Sequence, residues 1–309
     1  MNAKTFASIA VVAVLMASPV AFAQMPPEEA EKVKAIGRVI NPKATSEIFA
    51  PRVIEGEPYA KVKVERDLHY GPTDRNLLDV FTSKEPAGSL RPVVIFVHGG
   101  AFVMGNRRGA GSPFYDNIML WAVRNGMVGV NMTYRLAPQY VWPAGAEDAG
   151  LAVKWVSEHI TAYGGDAKRI FMFGHSAGAT HVADYLANER LQLISGSGIA
   201  GAMVLSGAYQ VEPPLAVPAY YGTDPSRFSE ESSLRGLLIS KVPMFVGSAE
   251  LDPPPFTAQA NLLIDALCKA SRCPDSAVFS GHSHMSEPYS IHTDDRAVGD
   301  ELLKFIRSH

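Results

Sequence analysis

Cysteine is nearly absent from this sequence, long apolar runs are missing, and no cluster of basic residues occurs. Each absence excludes something. Two cysteines in 309 residues allow one disulfide at most, so the fold does not rest on a disulfide framework. Cys268 and Cys273 lie close together and have no flanking histidine, so a metal site there is not expected. They read either as a bridge stapling a helix end to the next turn or as two free thiols. A net charge of −3 without a basic patch argues against nucleic acid as a partner. No repeat or low-complexity tract is visible. The most apolar stretch, Phe6 to Ala17, is too short for a membrane span, which needs about 20 residues.

That stretch reads instead as the core of a targeting segment. Lys4 precedes it, and Ala21-Phe22-Ala23 forms a small-x-small cleavage site before Gln24. Residues 1–23 are therefore expected to be a signal peptide, and no stable membrane anchor is expected after its removal. No cysteine sits near the cleavage site, so a lipoprotein is not supported. The mature chain is expected to be periplasmic or secreted, where a disulfide can persist.

The remaining chain is 47% hydrophobic and 19% charged over its full length, enough for one large α/β domain. Residues 24–60 read as an N-terminal arm, a possible cap. A short helix is expected over 26–38, with acids early and bases late, and an irregular stretch over 41–58, which holds three prolines. From residue 61 a hairpin (61–82) leads into the apolar run Val93 to Val97. Strands then alternate with helical segments to the C-terminus. This alternation predicts a mostly parallel sheet with helices on both faces and functional groups at the C-terminal strand ends. Residues 207–236 carry prolines and aromatics without a clear period, and read as a lid or pocket wall.

The chemistry centres on Phe171 to Gly178. An apolar strand runs into Gly174-His175-Ser176-Ala177-Gly178, a G-x-S-x-G match. A serine on a sharp strand-to-helix turn projects its Oγ from the sheet. Small residues two before and two after let strand and helix pass closely. Ser176 is the candidate nucleophile. Val93 to Val97 runs into His98-Gly99-Gly100-Ala101-Phe102, where small residues let backbone N–H groups converge on one point. Gly100, Ala101 and Ala177 are the candidate oxyanion donors. An acid is expected past the strand 242–246, where Asp252 precedes a proline run and Glu250 competes with it. A base is expected after the last strand, in Gly281-His282-Ser283-His284-Met285. His284 sits nearer the next helix, and His282 is the alternative. His98, His175 and His181 read as structural or surface residues.

The order Ser, acid, His with His-Gly-Gly-Ala-Phe upstream resembles the α/β-hydrolase fold, more narrowly its hormone-sensitive-lipase-like and carboxylesterase branch. Tyr134-Arg135-Leu136-Ala137-Pro138, Trp142-Pro143-Ala144 with Glu147-Asp148, and Tyr163-Gly164-Gly165-Asp166 carry the same resemblance, which spans Val62 to the C-terminus. The ending Gly-His-Ser-His-Met looks closer to other carboxylesterase and feruloyl-esterase-type hydrolases. The resemblance implies an eight-stranded sheet with an antiparallel second strand, and esterase activity on small acyl esters without a cofactor or metal. Ala101 stands where the family has a third glycine. It keeps the N–H, so the oxyanion hole survives unless that position needs a positive φ. Met104, Trp142, Tyr209, Tyr220 and Tyr221 are candidate pocket residues. An amidase or arylformamidase could use the same groups, and a non-catalytic binding protein on the same fold is the alternative of another class.

Overall fold

The computed structural model describes residues 25–86 and 88–309, so the expected signal peptide lies outside the described residues. Eight strands form one sheet: β1 (Val62–His69), β2 (Leu77–Ser83), β3 (Arg91–Val97), β4 (Val128–Met132), β5 (Gly165–His175), β6 (Gly201–Leu205), β7 (Met244–Leu251) and β8 (Asp275–Ser283). Their spatial order is β1-β2-β4-β3-β5-β6-β7-β8. β2 pairs antiparallel with both β1 and β4, and the pairs from β3 onward are parallel. The eight-stranded sheet with an antiparallel second strand is the one the resemblance implies.

The helices are α1 (Pro27–Ile36), α2 (Pro42–Val53), α3 (Asp116–Arg124), α4 (Ala144–His159), α5 (Ala177–Ala187), α6 (Pro218–Tyr221), α7 (Leu234–Leu237), α8 (Pro254–Lys269), α9 (Ser286–Tyr289) and α10 (Ala297–Ser308). Successive residues of β3 point to opposite faces, as a strand requires. Val93, Ile95 and Val97 enter the core shared with α4, α5 and α8. Val94 and Phe96 enter the core shared with α3 and α10. All five are completely buried, each worth about 1.5–3 kcal/mol. A strand covered on both faces needs an unbroken apolar run, and this one has it.

Residues 41–58 are not irregular, because α2 occupies most of them. Asn41 Oδ1 accepts from the Ala44 N–H at 3.1 Å and caps the helix. Pro42 stands at the first helical position, where no N–H is needed. Pro51 does cost a backbone bond in the last turn. Thr45, Phe49 and Val53 offset this by burying one face. Phe49 and Val53 join Met25, Val33, Phe114, Met285 and Tyr289 in a separate apolar cluster. The arm thus lies on the segment that follows β8.

Residues 207–236 include α6 and α7 and are not a bare surface excursion. Tyr220 and Tyr221 pack with Phe102, Val211, Ala216 and Ala177, and the Phe102 and Tyr220 rings stack with centroids 4.5 Å apart. Cys268 and Cys273 form a disulfide, joining the last turn of α8 to the turn before β8.

Candidate active site

The strand β5 ends at His175, and Ser176 turns the chain into α5 with φ 56° and ψ −125°. This conformation is unfavourable for a residue with a Cβ and costs about 1–3 kcal/mol. The surroundings hold it. The Ser176 N–H donates to the Leu205 carbonyl at 2.9 Å, and a Cβ on Gly178 would lie 2.0 Å from the Val97 carbonyl oxygen. Strand β3 and the start of α5 therefore pass as closely as backbones can, and Ser176 is left at the crossing.

The loop after β3 lies against the same point. A Cβ on Gly99 would stand 3.0 Å from the Ser176 Cβ. The Gly100 and Ala101 N–H groups have no hydrogen-bond partner among the described residues. Ala177 provides the first N–H of α5, a donor that no carbonyl of its own helix can satisfy. These are the groups an anion at Ser176 would meet. Gly100 has φ 133°, and a Cβ there would strike the Met104 carbonyl at 2.0 Å. Ala101 has φ 49°, so the position does need the left-handed region, and alanine occupies it at a cost of about 1 kcal/mol. The N–H is kept. Ala101→Gly is expected to leave ester turnover within about threefold and to raise stability by up to about 1 kcal/mol. Thermal melting and initial rates would check both.

The two open choices separate by position. His284 Nδ1–H donates to Asp252 Oδ1 at 2.7 Å, and both residues are buried. Asp252 Oδ2 accepts from the Ala249 N–H at 2.9 Å. Glu250 is exposed and accepts from Ser280 Oγ and the Gly281 N–H, so it closes the turn before the histidines. His282 faces the other way, its Nε2 3.2 Å from Asp295 Oδ2. His284 Nε2 has no hydrogen-bond partner among the described residues, and it makes no bond with Ser176 Oγ here. Its ring lies 4.7 Å from that of His175, the residue before Ser176.

Four residues of this neighbourhood escaped sequence reasoning. His175 Nε2–H donates to the His284 carbonyl at 2.8 Å, so the variable position of the elbow steadies the backbone of the candidate base. Arg38 Nε donates to the Asp252 carbonyl at 3.0 Å. Ser206, just past β6, and Glu287, in α9, approach Asp252 from behind. The one available signal was positional: Ser206 follows a buried strand, as Ser176 and Asp252 do.

Of the candidate pocket residues, Trp142, Tyr220 and Tyr221 gather in the cluster beside Ala177. Met104 is 63% exposed on the surface. Tyr209 is buried in the main core, among α5 and α8 residues, because its side chain turns inward under Gly207. The group is therefore split between three environments. Among the described residues no cluster of three or more His, Cys, Asp or Glu could hold a metal ion, and no helix is long and apolar enough to cross a membrane.

Burial sets the titration of the histidines. His98 and His181 are pushed down to about 3, and His175 to about 4, each chiefly by loss of hydration. These rings are neutral in the fold. An unfolded imidazole protonates near 6.5, so the unfolded chain binds more protons as pH falls. Stability is then full above about 6.5 and is lost progressively towards 4. Urea midpoints measured between pH 7 and 4 should fall steeply, and a flat profile would contradict the assignment.

The topology, the turn at Ser176 and the free N–H groups beside it can be compared with known proteins. The structure superposes on a bacterial heroin esterase with a TM-score of 0.70 at 20% identity, covering 93% of this chain and 98% of that one. It superposes on esterase B from Lactobacillus rhamnosis with a TM-score of 0.70 at 14% identity, covering 91% and 95%. The chain has the α/β-hydrolase fold. The BD-FAE family model matches residues 78–194 of the chain, from β2 to a few residues past α5. Esterase LipQ of Mycobacterium tuberculosis is 28% identical over 262 residues, 78% of this chain and 61% of that protein. Para-nitrobenzyl esterase of Bacillus subtilis is 38% identical over 122 residues, 36% of this chain and 24% of that protein. The chain thus spans less than two thirds of the length of these curated relatives.

Proposed function

We propose that the protein is an exported carboxylic ester hydrolase working through Ser176, His284 and Asp252. The observation that carries the reading is the buried His284–Asp252 pair with its Nε2 unpartnered, the His284 ring lying 4.7 Å from that of His175, the residue before Ser176. In the proposed reaction His284 Nε2 takes the Ser176 proton as Oγ attacks the ester carbonyl. Asp252 holds the ring in the Nδ1–H tautomer and stabilises its cation. The N–H groups of Gly100, Ala101 and Ala177 receive the oxyanion. His284 returns the proton to the leaving alcohol, and water then releases the acid from the acyl-enzyme. The disulfide supports export, since such bonds persist in oxidising compartments.

Burial lowers the His284 pKa, and its hydrogen bond to Asp252 opposes the shift only in part. A lowered pKa keeps the base neutral to lower pH. The acid limb of kcat/KM is therefore expected below the ordinary imidazole value of about 6.5, and a limb above it would refute the burial argument. The function itself is tested with p-nitrophenyl esters from acetate to palmitate and an alkyl fluorophosphonate probe. Turnover of the shorter esters, with labelling lost in Ser176→Ala, is the expected result. Labelling without turnover of any ester would point to an amide substrate. Absence of both would remove the enzyme reading.

A further inference from the structure

Behind Asp252 sits a second buried carboxyl group that the proposed reaction does not use. Ser206 Oγ lies 2.6 Å from Asp252 Oδ2 and 2.7 Å from Glu287 Oε2. All three side chains are completely buried. A hydroxyl has one hydrogen and can donate it to one carboxylate. The other contact would then set oxygen lone pairs against each other, unless the second carboxyl brings a proton of its own.

The surroundings decide which carboxyl that is. Asp252 is supplied with donors, His284 Nδ1–H on Oδ1 and the Ala249 N–H on Oδ2. Glu287 is not. Its Oε1 has no partner among the described residues. Its Oε2 has the hydroxyl and, at 3.5 Å, His175 Nε2, whose hydrogen is committed to the His284 carbonyl at 2.8 Å. An ionised carboxylate so poor in donors and fully buried would be very costly.

We propose that Glu287 is a neutral carboxylic acid that donates its proton to Ser206, which in turn donates to Asp252, so that Glu287 and Ser206 are positioning residues for the acid of the triad. This rests on reading Asp252 and His284 as triad members. The groups facing Glu287 agree with a neutral acid. They are Asp252 after β7, His175 at the end of β5, His282 on β8 and His284 just past it. Burial and the Asp252 charge both push the Glu287 carboxyl well above the usual range, and burial keeps the His175 ring neutral. The relay has a consequence for catalysis. His284 stands beside one negative charge rather than two, so it stays unprotonated, as a general base must.

The test uses the full chain and does not depend on turnover alone. Infrared spectra of the wild type at neutral pH should contain the carbonyl stretch of a protonated carboxylic acid, absent from Glu287→Gln and retained in the inactive Ser176→Ala. Glutamine is neutral, close in size and still a donor. Glu287→Gln should therefore keep kcat, KM and the acid limb within about threefold of wild type. Glu287→Ala removes the donor and should lower kcat about 10- to 100-fold at unchanged KM, as loss of an orienting partner does. A missing carbonyl band would overturn the proposal. So would a fall of about one unit in the acid limb of Glu287→Gln, because it would report a negative charge removed from beside His284. If Glu287→Ala fails to fold, the wild-type band and Glu287→Gln decide the matter. Full activity in both Asp252→Asn and His284→Ala would refute the triad instead, and the band would still report the state of Glu287.

Discussion

His284→Ala is expected to lower kcat by about 10⁴- to 10⁶-fold, the range found when a serine hydrolase loses its base. His282→Ala is expected to leave kcat within about tenfold. The contrast follows from geometry, since the two residues are alike in type and burial and only two positions apart. His284 turns its Nδ1 to Asp252 and leaves Nε2 free. His282 points its Nε2 at Asp295 and its Nδ1 at Ser286 Oγ, 3.1 Å away. Removing His282 empties a fully buried position and takes a partner from Ser286 Oγ, so its cost should appear as stability, about 3 kcal/mol. Removing His284 should appear as rate. Stopped-flow turnover and urea melts on both variants would separate the two effects. A dead but stable His282→Ala would reverse the assignment.

Gly178→Ala is expected to destabilise the protein by about 4 kcal/mol or more, or to yield no soluble protein. The added methyl would lie 2.0 Å from the Val97 carbonyl oxygen and 2.6 Å from that of His98. Both are backbone atoms at the fully buried end of β3 and the residue after it, so neither can move aside. Separating α5 from β3 would open the core on one face and pull Ser176 away from the loop holding Gly100 and Ala101. Activity and stability should therefore fall together. Gly164→Ala serves as the control. It has a positive φ but nothing within 4 Å of its would-be Cβ, so its penalty is limited to about 1–2 kcal/mol. Equal melting temperatures for the two variants would show that the crossing is looser than described.

The fold was legible because the sheet imposes its own pattern. Val93 to Val97 had to be apolar throughout once both faces were covered, and strands of that kind stand out from the helical segments between them. The Ser176 turn was legible for the same reason: close approach admits little besides small residues. The arm was misread because proline was counted as a breaker without regard to position. Pro42 at a helix start does no harm, and a buried face through Phe49 outweighs Pro51. Alanine at 101 visibly keeps its N–H, but its positive φ is a backbone property that the residue name does not carry. Asp252 and His284 could not be separated from Glu250 and His282 by sequence, because their side chains diverge through turn geometry. Ser206 and Glu287 were invisible for a deeper reason. Their roles exist only where three chain segments, after β6, after β7 and in α9, come together.

The grip of Arg38 on the Asp252 carbonyl bears on the order in which the molecule can be completed. The two residues are 214 positions apart, and α1 rests on β8, later still in the chain. At about 5–20 residues per second, the arm waits roughly ten to forty seconds for the surface it belongs to. Until then its apolar face has nothing to cover. A segment that precedes every strand of the sheet is thus among the last to settle, and its settling is what steadies the backbone of the acid.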